Sequence, residues 1–172
     1  MTSPTTYTTT LDSPIGPLLL TSDGTALTRL LIGGDPDPSW SPEPCPVLES
    51  AVAQLQEYFA GSRTEFDLPL APTGTPFQQS VWRALRDIPY AGTESYGQLA
   101  ARVGNSRASR AVGLANGRNP ISIVVPCHRV VGANGSLVGY GGGLDRKRTL
   151  LDLERRTAGT APGAADPQLT LL

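Results

Sequence analysis

Cys127 is followed directly by His128, the sole histidine among 172 residues, and then by Arg129. A cysteine reacts as its thiolate, and a neighbouring base and positive charge favour that form. By type, His128 and Arg129 supply both. The chemistry open to such a group is covalent: sulfur attacks an electrophilic carbon while the imidazole takes the thiol proton. A buried cysteine is more often an inert small hydrophobe, and on the pair alone that reading stays open. Zinc is poorly supported, because one histidine and two widely separated cysteines, Cys45 and Cys127, cannot build a four-ligand site. No metal and no cofactor are expected. Cys45 lies in a Pro-rich loop and receives no role.

The elements that must position this group are legible around it. Ile121–Val125 is rich in β-branched residues and is predicted as a buried strand entering Pro126. Gly132–Gly143 contains six glycines and is predicted as a loop. A last helix follows over Leu144–Arg156, with Arg146, Lys147 and Arg148 in its early turns. Upstream, Thr75–Ile88 places Phe77, Val81, Leu85 and Ile88 on one helical face ending before Pro89. Ser95 and Gln98 form a capping box for a short helix with Tyr96, Leu99, Ala100 and Val103 inward. Gly104-Asn105 breaks it, and Ser106 is placed to cap a second helix ending at Gly117, with Ala108, Ala111, Val112 and Ala115 as its buried stripe. Two short helices across a Gly-containing turn form a helix-turn-helix candidate. Arg107, Arg110, Gly113, Leu114 and Gly117 point away from the stripe. Small residues there suit either tight helix packing or close approach to a DNA groove.

The first third reads as a β-meander over Tyr7–Leu11, Pro17–Thr21 and Ala26–Ile32, with turns at Ser13-Pro14-Ile15-Gly16 and Asp23-Gly24. A helix over Val47–Phe59 stops at Gly61. No catalytic cluster occurs here, and the segment is expected to be scaffold. Charge divides the same way: residues 1–72 hold two basic and nine acidic residues, whereas residues 73–172 hold twelve basic and six acidic. The asymmetry predicts that the second half faces a polyanion. The chain divides into a scaffold domain over 1–72, a DNA-binding and active-site domain over 73–156, and a mobile tail over 157–172. No apolar run approaches the ~20 residues of a membrane span, and the N-terminus lacks a secretory pattern. A cytoplasmic location without membrane contact is expected.

The segment Val125-Pro126-Cys127-His128-Arg129-Val130-Val131 resembles the active-site signature of the O6-alkylguanine-DNA alkyltransferases. Phe77-Gln78, Val81-Trp82, Ile88-Pro89-Tyr90, Ser95-Tyr96-Gly97, Arg110-Ala111-Val112-Gly113, Asn119-Pro120 and Tyr140-Gly141-Gly142-Gly143 stand in the family's order and spacing. The resemblance is strong over about 75–156 and weaker over the meander. It implies a mixed α/β (α+β) fold, with a ribonuclease H-like N-terminal part packed on a helix-turn-helix, winged-helix-like C-terminal part. It further implies irreversible, stoichiometric transfer of an alkyl group from O6-alkylguanine, and also O4-alkylthymine, in duplex DNA after nucleotide flipping. Cys127 is then the acceptor, His128 the base through a water, and Glu154 its orienter. Tyr96 assists the leaving group and crowds the target's phosphate. Arg110 fills the gap left by the flipped nucleotide, with Ser95, Arg107, Gly113 and Arg118 also at the DNA. Asn119 ties the second helix to the backbone near the cysteine. Pro126, Arg129, Val130, Tyr140, Gly141 and Gly142 shape the pocket, and the Val130 N–H joins the bonds that hold guanine. The partner implied is double-stranded DNA containing O6-alkylguanine, bound by a monomer, with cooperative loading left open.

Three departures accompany the resemblance. Gly141 replaces the hydroxyl residue of some relatives, Gly117 replaces a basic one with Arg118 adjacent, and the N-terminal zinc ligands of some members are missing. Three other classes compete: a damage sensor without chemistry, which Cys127 opposes; a cysteine hydrolase, which has no use for a helix-turn-helix; and a winged-helix regulator with a structural cysteine.

Overall fold

A computed structural model describes residues 3–159. Strands β1 (Tyr7–Leu11), β2 (Leu18–Ser22) and β3 (Leu27–Ile32) form an antiparallel sheet in sequence order. The two turns are built as their residues predict, with Gly16 at φ 100° and Gly24 at φ 98°, a region glycine enters freely. Helix α1 (Pro46–Phe59) starts one residue before the predicted bound, because Pro46 occupies the first helical position, where its missing N–H costs nothing. It ends in a Schellman arrangement: Gly61 N–H donates to Tyr58 and Ser62 N–H to Glu57. Its inward face, Leu48, Ala51, Leu55 and Tyr58, packs in one core with Leu18, Leu20, Leu27 and Leu30 of the sheet.

Beyond it come α2 (Pro76–Leu85), β4 (Glu94–Ser95), α3 (Tyr96–Arg102), α4 (Ser109–Gly117), a 3₁₀ turn at Cys127–Arg129, β5 (Val130–Val131) and α5 (Leu144–Gly159). Thr75/Gln78 and Ser95/Gln98 both close reciprocal capping boxes. Phe77 departs from the predicted face: it is 39% exposed, and Trp82 is buried instead, its indole N–H donating to the Ala115 carbonyl at 2.8 Å. Ser106 does not cap α4. Asn105 forms the turn, its side chain accepting from Arg107 N–H, and the helix begins at Ser109 without a side-chain cap. The buried side of α4 is Val112, Ala115 and Asn116, whereas Ala111 is exposed.

Ile121, Ile123 and Val125 are buried as expected, but the segment is not a strand. Ile121 makes one bridge to Leu30, Ile123 has φ 72°, and Val125 N–H returns to the Ile121 carbonyl. The cause is Asn119, whose side chain accepts from Ile121 N–H and donates to the Ile121 and Val125 carbonyls, closing the segment into a compact turn. A short parallel pairing of β4 with β5, unforeseen from sequence, sets Glu94 opposite Val130.

The halves share one core. The free edge of β3 is covered: Leu27 bonds with residues 69 and 71, and Leu30 with residues 120 and 122. That covering satisfies edge groups which would otherwise template aggregation. It also ties the first-half sheet to the segment leading into Cys127. Helix α5 continues through Thr157 to Gly159, past its predicted end, and the rest of the expected tail lies outside the described residues.

Candidate active site

Cys127 begins the 3₁₀ turn after Pro126, 4% exposed, at a cavity of about 340 Å³. Tyr140, Gly141 and Gly142 line one side; Asn116, Gly117, Asn119 and Ser122 another; Leu31, Ile32, Gly33 and Gly34 close it from the first half. Two asparagines hold the cysteine's backbone environment, since Asn116 donates to the Cys127 carbonyl at 3.4 Å and Asn119 to that of Val125 at 2.8 Å. A Cβ on Gly142 would stand 2.9 Å from both Ile32 and Tyr140, so only glycine lets this wall close on the sheet.

Behind the cysteine lies a buried charge cluster. His128 is fully buried, with Nε2 2.7 Å from Glu154 Oε2. A carboxylate accepts only, so Nε2 carries the hydrogen and Nδ1 keeps the basic lone pair. Among the described residues Nδ1 has no hydrogen-bond partner. Arg129 grips the same carboxylate with Nε to Oε1 at 2.9 Å and Nη2 to Oε2 at 3.0 Å, while Nη1 donates to the Ile88 carbonyl. Ala91 N–H donates to Oε1 from a left-handed backbone at φ 64°, and Tyr58 donates its hydroxyl to Oε2 at 2.6 Å. Burial pushes the Glu154 carboxyl up, but His128 and Arg129 outweigh it and hold the group well below the usual carboxylate range.

The electrostatics at Cys127 differ from the sequence expectation. Burial pushes its thiol up, and the groups that oppose this are Asn119 and Lys147. Arg129 is committed to Glu154. Lys147, between two arginines in the early turns of α5, is fully buried and donates to the carbonyls of Val130, Val138 and Gly139 at 2.5, 2.9 and 3.4 Å. Burial lowers its pKa to about 8, with Cys127 opposing the shift. It anchors the glycine-rich loop to β5. Two other positions are similarly engaged. The Val130 N–H, expected to be available to a base, donates to the Cys127 carbonyl. Tyr96 is half-buried, with its hydroxyl donating to the Val138 and Gly139 carbonyls and standing beside Asn116 of the cavity wall.

The α4 face is open. Arg107, Arg110 and Arg118 are exposed, and Leu114 is 61% exposed. Gly117 has open space at its Cβ position, and its carbonyl lies 3.8 Å from the Cβ position of Gly141, so this face adjoins the cavity mouth. Gly113 instead faces the Tyr96 ring. Ser95 is tied up in its capping box. Arg102, in the basic half, pairs with Glu94 at 2.8 Å. Of the 146–148 cluster only Arg148 is exposed; Arg146 turns back toward the Gly142 carbonyl. Among the described residues no group of three or more His, Cys, Asp or Glu could hold a metal ion, and no helix is long and apolar enough to cross a membrane.

Sequence reasoning missed Tyr58, Asn116 and Lys147. The first-half segment expected to be scaffold supplies both a cavity wall and a donor to the charge cluster. A lysine amid arginines gives no sign of burial, but Tyr58 carried one signal: it lies on the inward face of a helix, where a buried hydroxyl needs a partner.

Residues 76–156 match the family described as 6-O-methylguanine DNA methyltransferase, DNA binding domain, and residues 6–72 match 6-O-methylguanine DNA methyltransferase, ribonuclease-like domain. Over 153 residues the chain is 56% identical to the methylated-DNA–protein-cysteine methyltransferase of Mycobacterium tuberculosis (strain H37Rv), covering 87% of this chain and 92% of that protein. It is 53% identical over 154 residues to the protein of the same name from Methanosarcina acetivorans, covering 86% and 97%. The crystal structure of Mycobacterium tuberculosis OGT in complex with DNA superposes with a TM-score of 0.82 at 51% identity, covering 96% of this chain and 98% of that one. Matched in both halves, and more than half identical to such relatives over most of its length, the chain belongs to the 6-O-methylguanine DNA methyltransferase family.

Proposed function

We propose that this chain repairs DNA directly, taking the alkyl group of O6-alkylguanine, and of O4-alkylthymine, permanently onto Cys127. The observation that carries the reading is a buried cysteine at a cavity beside a basic, glycine-containing helix face, backed by an imidazole whose far nitrogen is held by a carboxylate. In the reaction the Cys127 thiol passes its proton, through a water, to Nδ1 of His128. Sulfur bonds to the alkyl carbon, the carbon–O6 bond breaks with its electron pair going to the base, and that base regains a proton. Stabilising the departing anion lowers the barrier. Tyr96, whose hydroxyl stands beside Asn116 at the cavity, assists the departing base and crowds the target's phosphate, and Asn119 and Asn116 keep the sulfur in place. The thioether formed has no leaving group, so each molecule reacts once. Intact mass after incubation with duplex O6-methylguanine DNA tests the whole reading: one methyl group per chain is expected, and an unchanged mass would exclude it.

A stacked base cannot reach a sulfur that is 4% exposed, so the nucleotide must leave the duplex. Arg110, exposed on the first turn of α4, fills the vacated stack. Extrusion costs a few kcal/mol, of which the inserted side chain offsets part. Arg110→Ala should slow single-turnover transfer from duplex DNA at least about tenfold more than transfer from free O6-alkylguanine base, tenfold being about 1.4 kcal/mol. Equal losses on both substrates would withdraw the role.

Phosphate contact falls to the exposed Arg107, Arg118 and Arg148. DNA affinity should drop with salt at a log–log slope of roughly 0.9 per phosphate neutralised. Alanine at Arg107, Arg118 or Arg148 should each flatten that slope in a binding titration. Alanine at Arg29, stacked on Trp40, or Arg63, paired with Glu57, should leave it unchanged. The protein acts as a monomer in the cytoplasm.

A further inference from the structure

The Glu154 carboxylate receives a donor from the half of the chain that holds no reacting atom. Tyr58, in the last turn of α1, donates to Oε2 at 2.6 Å, the same oxygen that meets His128 Nε2 at 2.7 Å. Among the described residues no other donor to Glu154 is closer; those of Arg129 lie at 2.9 and 3.0 Å and that of Ala91 at 3.2 Å. An O–H bonded to a carboxylate at this distance belongs to the strong, charge-assisted class. The ring has no freedom to leave: Tyr58 is fully buried, and Phe59, Phe66 and Tyr90 pack around it with centroids at 5.2, 5.5 and 6.3 Å. Burial and the Glu154 charge push its phenol well above the usual tyrosine range, so it remains a neutral donor.

We propose that Tyr58 is a positioning residue for alkyl transfer, sharing the charge on Glu154 Oε2 and so keeping the His128 imidazole able to accept the Cys127 proton. The inference rests on the proposed function for its reaction, but its physical content concerns only the cluster. Among the described residues the charged and titratable groups facing Glu154 are His128, Arg129, Tyr58, Tyr90 and, less closely, Tyr140. Of these, Tyr58 and His128 share Oε2 with one arm of Arg129. Without the Tyr58 hydroxyl, negative charge concentrates on that oxygen and favours imidazolium. The Cys127 thiol is itself pushed up by burial. It needs a neutral base, so imidazolium slows the reaction. The first half of the chain thereby sets the pH range in which the second half works.

Tyr58→Phe keeps the ring and its packing. The test has two readouts on untagged full-length chain. First, because His128 is the only histidine, its ring nitrogens give one set of NMR signals. In Tyr58→Phe the pH at which those signals change should move upward by up to about one unit. Second, single-turnover methyl transfer from duplex O6-methylguanine DNA should fall about three- to tenfold on the acid side of its profile and converge with the unsubstituted chain at higher pH. DNA affinity should not change. Should Tyr58→Phe not fold, replacing Tyr58 with 3,5-difluorotyrosine, a stronger donor, should move both profiles downward. Unmoved NMR signals, or a rate loss equal at every pH, would overturn the proposal and leave Tyr58 as packing. Absence of transfer by the unsubstituted chain would instead remove the functional reading, while the NMR result would still decide the charge-sharing role.

Discussion

Cys127→Ser is expected to abolish alkyl transfer while leaving DNA binding intact. A serine hydroxyl is far less acidic and less nucleophilic than a thiol, so the sulfur's place at the cavity would be held by an unreactive oxygen. Binding should survive because the exposed arginines of α4 and Arg148 lie on the surface, and Cys127 at 4% exposure adds almost nothing to it. The fold should survive as well. Burying a hydroxyl costs about 1–3 kcal/mol when it lacks a partner, and Asn119 and Asn116 stand close to this backbone. With excess methylated duplex, the unsubstituted chain should gain one methyl group and stop, and Cys127→Ser should gain none while shifting the same DNA in a binding assay. Continued turnover, or methylation of the serine variant, would point to a catalyst with another acceptor.

Removing Glu154 is expected to damage stability more than any other single side-chain change in the site. Its carboxylate accepts from Tyr58, Ala91, His128 and twice from Arg129, and it is fully buried. Glu154→Ala leaves the Arg129 guanidinium, 7% exposed, without its counter-charge. Breaking such a buried pair from one side costs about 3–5 kcal/mol, a large share of the roughly 5–15 kcal/mol that holds a domain folded. Urea denaturation at neutral pH should therefore show a much lower midpoint. The pH dependence follows from the direction of the shift. The folded carboxyl sits below its unfolded value, so its stabilisation is fully present above the ordinary carboxylate range and is lost as pH falls through the lower folded value. The unsubstituted chain should lose stability on acidification below about pH 4, and Glu154→Gln, without that ionisation, should show a shallower loss. An identical acid slope in both would mean that Glu154 is not the carboxylate held low.

Much of the local architecture is written in short-range residue order. The capping box at Ser95 depends on a hydroxyl and an amide three residues apart and forms as predicted, and Thr75 and Gln78 close a second of the same kind. Turns at Gly16 and Gly24 follow from the backbone freedom of glycine. The Cys127-His128 pair stands out because its members are adjacent and the histidine has no rival. The buried character of Ile121, Ile123 and Val125 is equally local, since hydrophobicity belongs to the residue. Their strand is not: Asn119 takes the backbone groups that a strand would have paired, and one side chain overrides the β propensity of the run.

Tertiary structure decided which charges are spent inside and which remain for a partner. Arg102 and Arg110 are both exposed arginines of the basic half, yet Glu94 and Asp87 pair with the first, and among the described residues no carboxylate pairs with the second. Lys147 stands between two arginines, and only the packing of α5 against β5 and the glycine-rich loop buries it on three carbonyls. Tyr58 meets Glu154 across 96 residues. Hydrophobic periodicity records which face of an element turns inward. It holds no record of which polar group waits there, because that depends on how separate elements are brought together in three dimensions.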